Sequence, residues 1–235
     1  MLPREKSVLG ILTFSYLLAV ATSLKVLSPA PLALATAAYL LHLFTFDMVF
    51  YAPNKARFYF LTVFNFLPYL AAAALGWWNP VAYAVGLIFF VAYTVLMHLG
   101  RGRAVEGVVT GTALLASLFL VVKAITAQQL GPRDYLIYAL FTTYHVATAY
   151  YVESRLAFRD VKPHTALRIW TPVAVFVALL WPPSLLASAE PFYKFLKNIK
   201  TNVKYSQYVD IVKMGWRELA RSALFTTILA ALYYL

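Results

Sequence analysis

A few ionisable residues stand where an apolar chain has least use for them. His42 and Asp47 lie five residues apart near the end of one apolar stretch. His145, Glu153 and Arg155 lie near the end of another. Ionisable side chains at membrane depth are costly, so each is a candidate functional residue. Two imidazoles on different helices at matching depth can ligate a haem or a metal. The plainer reading is that each histidine is hydrogen-bonded within a helical bundle. Asp47 would equally serve as a helix-end charge close to Lys55 and Arg57. Arg57, Arg101, Arg103, Arg155 and Arg159 recur in short polar segments, and a ring of guanidinium groups can grip a phosphate or diphosphate. Membrane topology explains the same arginines without a ligand. The candidate ligand-binding set is His42, Asp47, Arg57, His145, Glu153 and Arg155. No catalytic residue and no metal site is assigned.

Several chemistries are excluded. The chain has no cysteine, hence no disulfide, thiolate metal site or cysteine nucleophile. No Walker loop, HExxH pair or GxSxG turn occurs. His164 in "PHT" has no nearby partner for a metal. Glu106 opens a helix, where an acid is favoured by the macrodipole and needs no ligand. Net charge is +11, from 20 Lys and Arg against 9 Asp and Glu. The basic residues sit between apolar blocks, so anionic headgroups and topology account for them better than nucleic acid does.

The elements that must position these residues are helices. The chain is 62% hydrophobic over 235 residues, above the roughly 45–50% of an ordinary soluble domain. The excess recurs in eight blocks, about 8–27, 30–50, 58–77, 80–99, 105–127, 134–154, 168–188 and 214–235. Each is near the roughly 20 residues that cross a bilayer as a helix. Alternation of the kind a membrane β-barrel needs is absent. Turn chemistry marks the joins, as in "APNKAR" at 52–57, "WWNP" at 77–80, "GRGR" at 100–103 and "LGPRD" at 130–134. The expectation is an all-α, polytopic integral membrane bundle of about eight transmembrane helices (seven to nine), forming one domain over 1–235. The first block has a basic start and small residues in "AVA", as a signal peptide does. Its apolar run is long enough to span, so it reads as a retained helix.

Charge sets the expected orientation. With the N-terminus inside, inner segments hold Arg4, Lys6, Lys55, Arg57, Arg101, Arg103, Arg155, Arg159, Lys162 and Arg168. The early outer connectors hold Lys25 and Arg133, with Lys123 near a helix end. Short loops rich in Lys and Arg stay cytoplasmic. This gives a cell-membrane protein with a cytoplasmic N-terminus. The segment around 190–213 breaks the pattern, because alternation of eight helices puts its lysines outside. Two solutions exist. One is an interfacial amphipathic helix with Phe192, Phe195, Leu196 and Ile199 on one face. The other is a break at "WPPSLL", 181–186, that turns the chain back. Residues 168–193 are too few for two crossings, which favours the first. Gly107 and Gly111, four apart in "GVVTG", mark a face that another helix approaches closely.

The layout resembles the YwiC-like membrane proteins, with their UbiA-type helical architecture. A basic "LPREKS" precedes the first helix. "LGRGRAVEGVVTGTALL" is similar to an Arg-then-Glu entrance to a mid-chain helix. "YYVESRLAFRD" is similar to an aromatic-Val-x-Ser-Arg exit, and "VKMGWRELARSALFTTILAAL" to a basic-Gly-x-x-Glu start of the last helix. The resemblance implies the fold, without a settled activity. UbiA prenyltransferases hold magnesium and diphosphate on two Asp-rich loops. Here "FDMVFYAPNKARF" offers Asp47 and Asn54, and "YYVESRLAFRDV" offers Glu153 and Asp160 seven apart. Paired carboxylates for a magnesium clamp are therefore missing, which counts against an enzyme.

Three functions lead, and a transporter stays open without an inverted repeat or broken helix to support it. The first is a membrane protein holding an isoprenoid or anionic lipid in an intramembrane cavity with a basic cytoplasmic mouth. The second is a haem- or quinone-binding subunit of a respiratory complex. The third is a degenerate prenyltransferase. Membrane lipid is the expected partner.

Overall fold

The computed structural model describes residues 6–50 and 55–235, with side chains throughout these except at Lys6, Asp47, Phe50 and Lys55. Among the described residues the chain forms nine α-helices: α1 (Lys6–Ser23), α2 (Pro29–Phe50), α3 (Lys55–Ala74), α4 (Pro80–His98), α5 (Val105–Ala127), α6 (Pro132–Arg155), α7 (Thr165–Leu180), α8 (Ser184–Thr201) and α9 (Tyr208–Leu232). Local chemistry fixes several ends. Asn79 accepts from the amides of Val81 and Ala82, and Pro80 follows as the first helical residue of α4. Gly76, at φ +76°, lets the chain leave α3 in a left-handed conformation.

Contacts between helix ends show that direction alternates. At one end of the bundle Tyr234 donates to the Ala21 carbonyl at 2.6 Å, and Arg133 donates to the Tyr233 carbonyl at 2.7 Å. That joins the C-terminal ends of α1 and α9 to the start of α6. At the other end Arg159, just past α6, donates to the Arg103 carbonyl just before α5, at 2.6 Å. Arg101, Arg103, Arg155, Arg159, Lys162 and Lys204 cluster at this second end, called the basic end below. The central element is α5, whose residues from Gly111 to Thr126 are buried on nearly every side. Ser15 of α1 donates to the Leu115 carbonyl at 2.9 Å, and Ser23 meets Thr126 at 2.8 Å.

The interior is mainly apolar, but so is much of the surface, and several charges lie inside. Phe60, Val63, Leu70, Ile88, Val91, Phe176 and Leu179 are exposed, while Lys123, Asp134, Lys194 and Glu218 are buried. A soluble domain buries its large apolar residues and solvates its charges. The pattern here matches hydrocarbon surroundings, where charges face the bundle interior and pair.

Among the described residues three helices are long and apolar enough to cross a membrane: Pro29–Phe46, Pro80–His98 and Val105–Ala127. Ser7–Ser23 and Thr165–Leu180 are apolar but shorter. This is fewer than the eight expected. The physical reason is dilution. Arg57, Asn65 and Pro68 interrupt α3, and charged residues interrupt α6, α8 and α9.

The sequence favours an interfacial helix for 190–213; in the structure its first part belongs to α8, which packs along the bundle. After α7 the chain turns at Trp181–Pro183 and α8 runs back beside α6. The ring of Trp181, at the α7–α8 turn, lies 5.7 Å from the Arg133 guanidinium at the start of α6. At the far end Asn198 Oδ1 accepts from Arg155 Nε at 2.9 Å. The buried stripe of α8 is Ala187, Pro191, Lys194, Phe195 and Asn198, whereas Leu196 and Ile199 face outward. Apolar windows stop at Glu190 and so make the stretch too short for two helices. The chain instead neutralises Lys194 inside the bundle and carries α8 on to Thr201.

Candidate functional site

Four helices, α1, α5, α6 and α9, enclose a cavity of about 770 Å³ that reaches the basic end. Val8, Ile11 and Phe14 of α1 and Leu115 of α5 supply apolar wall, and α9 adds Ile211, Val212 and Leu219. Gly107 and Gly111 line the same space and keep α5 thin there. A Cβ on Gly107 would meet the Arg101 and Gly102 carbonyls, and one on Gly111 would lie 2.9 Å from the Tyr93 ring of α4. The close approach expected at "GVVTG" is thus made by a helix at Gly111 and by a loop at Gly107.

Charge collects at the mouth. Glu153 Oε2 lies 2.8 Å from Arg159 Nε, and Arg159 also donates to the Arg103 carbonyl. Arg103, Arg159 and Glu153 all line the cavity, two cations to one anion.

Deeper, a polar layer crosses the bundle. Lys194 Nζ donates to Glu218 Oε2 at 3.0 Å, to Thr148 Oγ1 at 3.0 Å and to the Tyr144 hydroxyl at 3.4 Å, with the Tyr144 ring 4.5 Å away. Glu218 Oε1 also accepts from Arg221 at 2.5 Å, and Arg221 reaches Glu190 at 3.1 Å. Two cations and two anions cancel, so burial is tolerable. His145 belongs to this layer and lines the cavity with Thr112, Thr148, Glu218 and Ser222. It is 3% exposed, and its Nε2 has no hydrogen-bond partner.

Of the six residues singled out from sequence, the structure brings His145 and Glu153 into this cavity. Arg155 points elsewhere. It donates to Asn198 and Tyr205 and lies over the Tyr151 ring, tying the 202–207 segment to α6. Arg57 is exposed in the first turn of α3. The Asp47 side chain lies outside the described residues. His42 lines a second cavity of about 270 Å³ between α2, α3, α4 and α5. Its Nδ1 meets Asn65 Oδ1 at 2.8 Å and its Nε2 meets the Tyr69 hydroxyl at 2.5 Å, so both ring nitrogens are engaged. The two histidines therefore face different cavities, with Phe46 and Leu115 lining both. Among the described residues no three His, Asp, Glu or Cys side chains gather as a metal site would need.

Sequence reasoning missed Lys194, Thr148, Glu218 and Ser222. A signal was present: Glu190 and Lys194 are four apart, and Glu218 and Arg221 three apart. Each pair puts opposite charges on one helix face in an otherwise apolar chain. Comparison with protein-family models, with characterised proteins and with solved structures finds no match for this chain.

Proposed function

We propose that this chain is a multi-pass membrane protein, crossing nine times, that holds an isoprenoid or anionic-lipid amphiphile in the α1–α5–α6–α9 cavity. The observation that carries the reading is the cavity itself: a large, mainly apolar space with Arg103 and Arg159 at its mouth. A guanidinium pair suits an anionic head, and the apolar wall suits a chain. The exposed apolar faces and buried, paired charges support a bilayer as the surrounding solvent. Nine alternating helices also resolve the lysine problem. With α8 turned back, Lys197, Lys200 and Lys204 join Arg101, Arg103, Arg155 and Arg159 at one end, while Lys25 and Arg133 stand at the other. By the positive-inside rule the basic end, the cavity mouth and the N-terminus are cytoplasmic. Kinship with YwiC-like proteins is part of the same proposal, and nothing in the cavity depends on it.

The test is native mass spectrometry of the detergent-purified protein beside the double variant R103A/R159A. Retention of an anionic amphiphile by the wild type and its loss from the variant is the expected result. Unchanged retention would overturn the reading.

A further inference from the structure

Resting on the amphiphile reading above, we infer that the cavity recognises its occupant at a second level. An uncharged oxygen function below the anionic head, a hydroxyl or an ester carbonyl, hydrogen-bonds to Nε2 of His145. That selects a glycerol-phosphate lipid over a plain alkyl or isoprenyl phosphate.

The argument starts from contrast within the chain. The two histidines considered above are both polar groups set among apolar helices. His42 closes both ring nitrogens, on Asn65 and on Tyr69. His145 leaves Nε2 open at 3% exposure. A buried polar atom without a partner is destabilising by roughly 1–3 kcal/mol, so native proteins rarely leave one unless something else supplies the bond. The surroundings of His145 do not supply it. Phe141 and Tyr144 present themselves to its ring edge-on, at 4.5 and 5.2 Å between centroids. Thr148 and Glu218 of the same layer already take the protons of Lys194, and neither they nor Thr112 or Ser222 of the same lining bonds to this nitrogen. The open nitrogen belongs to a residue that lines the large cavity.

Chemistry then narrows the partner. In one tautomer Nε2 donates, to a carbonyl or hydroxyl oxygen; in the other it accepts, from a hydroxyl. The ion pairs of the layer cancel, so nothing there calls for a second charge on the occupant. Position narrows it further. His145 is eight residues from Glu153 along α6, about 12 Å at 1.5 Å per residue. An occupant held by its phosphate at Arg103 and Arg159 passes its next several atoms along this wall. A monoacyl glycerol phosphate carries its ester carbonyl nearer to that depth than its hydroxyl, which is only four bonds from phosphorus, and an alkyl or isoprenyl phosphate carries neither.

The test uses the full chain in detergent and two probes with twelve-carbon chains, 1-lauroyl lysophosphatidic acid and dodecyl phosphate. Binding is followed by native mass spectrometry titration on the wild type, H145L and H145Q. The wild type is expected to hold the lysophosphatidate about five- to tenfold tighter, the worth of one net hydrogen bond. H145L should lose that preference while keeping its affinity for dodecyl phosphate within about twofold, and H145Q should recover part of it. Equal affinities in the wild type, or a preference that H145L leaves intact, would overturn the inference and leave the amphiphile reading standing. Failure of both probes to bind the wild type saturably would overturn the two together. The wild-type ratio is read without any variant, so poor folding of H145L does not remove the test.

Discussion

Replacing Glu218 by glutamine tests whether the polar layer is held by charge. Lys194 is 2% exposed, and its ammonium lies 3.0 Å from Glu218 Oε2. In E218Q that ammonium keeps neutral partners alone: the Thr148 and Tyr144 hydroxyls, the Tyr144, Tyr151 and Phe195 rings, and the amide oxygen of the new glutamine. Removing one member of a buried pair leaves an uncompensated charge and destabilises by about 3–5 kcal/mol. Arg221 is less affected, because it is one-third exposed and retains Glu190 at 3.1 Å. For a chain of this size 1 kcal/mol moves the melting temperature by about 2–4 °C, so a drop of about 6–20 °C is expected. K194M should do less harm, since Glu218 keeps Arg221 at 2.5 Å and the loss is about 1.5–3 kcal/mol. The double variant K194M/E218Q should melt above E218Q, because no charge is stranded. The assay is apparent melting in detergent at one fixed scan rate, followed by tryptophan fluorescence. An E218Q protein melting within about 2 °C of wild type would refute the reasoning. So would a double variant that melts lower by the sum of the two singles.

Two further outcomes follow from other contacts. Arg155 pins 202–207 through Asn198, Tyr205 and Thr201, and the Tyr205 amide donates to the Arg155 carbonyl at 2.7 Å. R155A should leave the bundle folded but speed limited proteolysis within 202–207 several-fold, since local opening precedes cleavage; an unchanged cleavage rate would contradict the pinning role. At the opposite end Lys123, 1% exposed, donates to the Thr22 carbonyl at 2.6 Å and lies 3.5 Å from Asp134. K123M leaves that carboxylate with the Gly131 amide at 2.7 Å and should lower stability by about 1.5–3 kcal/mol, whereas K123M/D134N should recover part of the loss in the same melting assay.

Much of the fold was legible because bilayer chemistry writes itself into block length. The first six apolar blocks correspond closely to α1 to α6, the seventh, 168–188, overruns α7 into α8, the eighth overlaps α9, and the turn residues at Asn79, Gly100 and Gly131 stand where helices begin or end. What was hidden is α8. Its inward stripe contains Lys194 and Asn198, whose burial depends on Glu218 and Arg155 on other helices. A window that sums hydropathy along one segment has no access to a partner 24 residues away. The site was legible in part for the same reason. His145 and Glu153 stood out as ionisable groups in an apolar block and do meet in the cavity. Arg155 lies only two residues beyond Glu153, yet on a helix two residues turn the side chain to another face. His42 matched His145 in type and setting, but Asn65 and Tyr69 on α3 close it, and nothing local to His42 announces them.

Because the chain lacks cysteine, single engineered cysteines can report which side of the membrane each turn faces. The decisive comparison places one at Lys204, after α8, against controls at Arg101 and Lys25, in sealed right-side-out vesicles with a membrane-impermeant maleimide. The nine-helix bundle with its basic cytoplasmic mouth predicts labelling at K25C from outside, and labelling at R101C and K204C only after the vesicles are opened. Labelling of K204C from outside, together with K25C, would return α8 to the membrane surface and contradict the account.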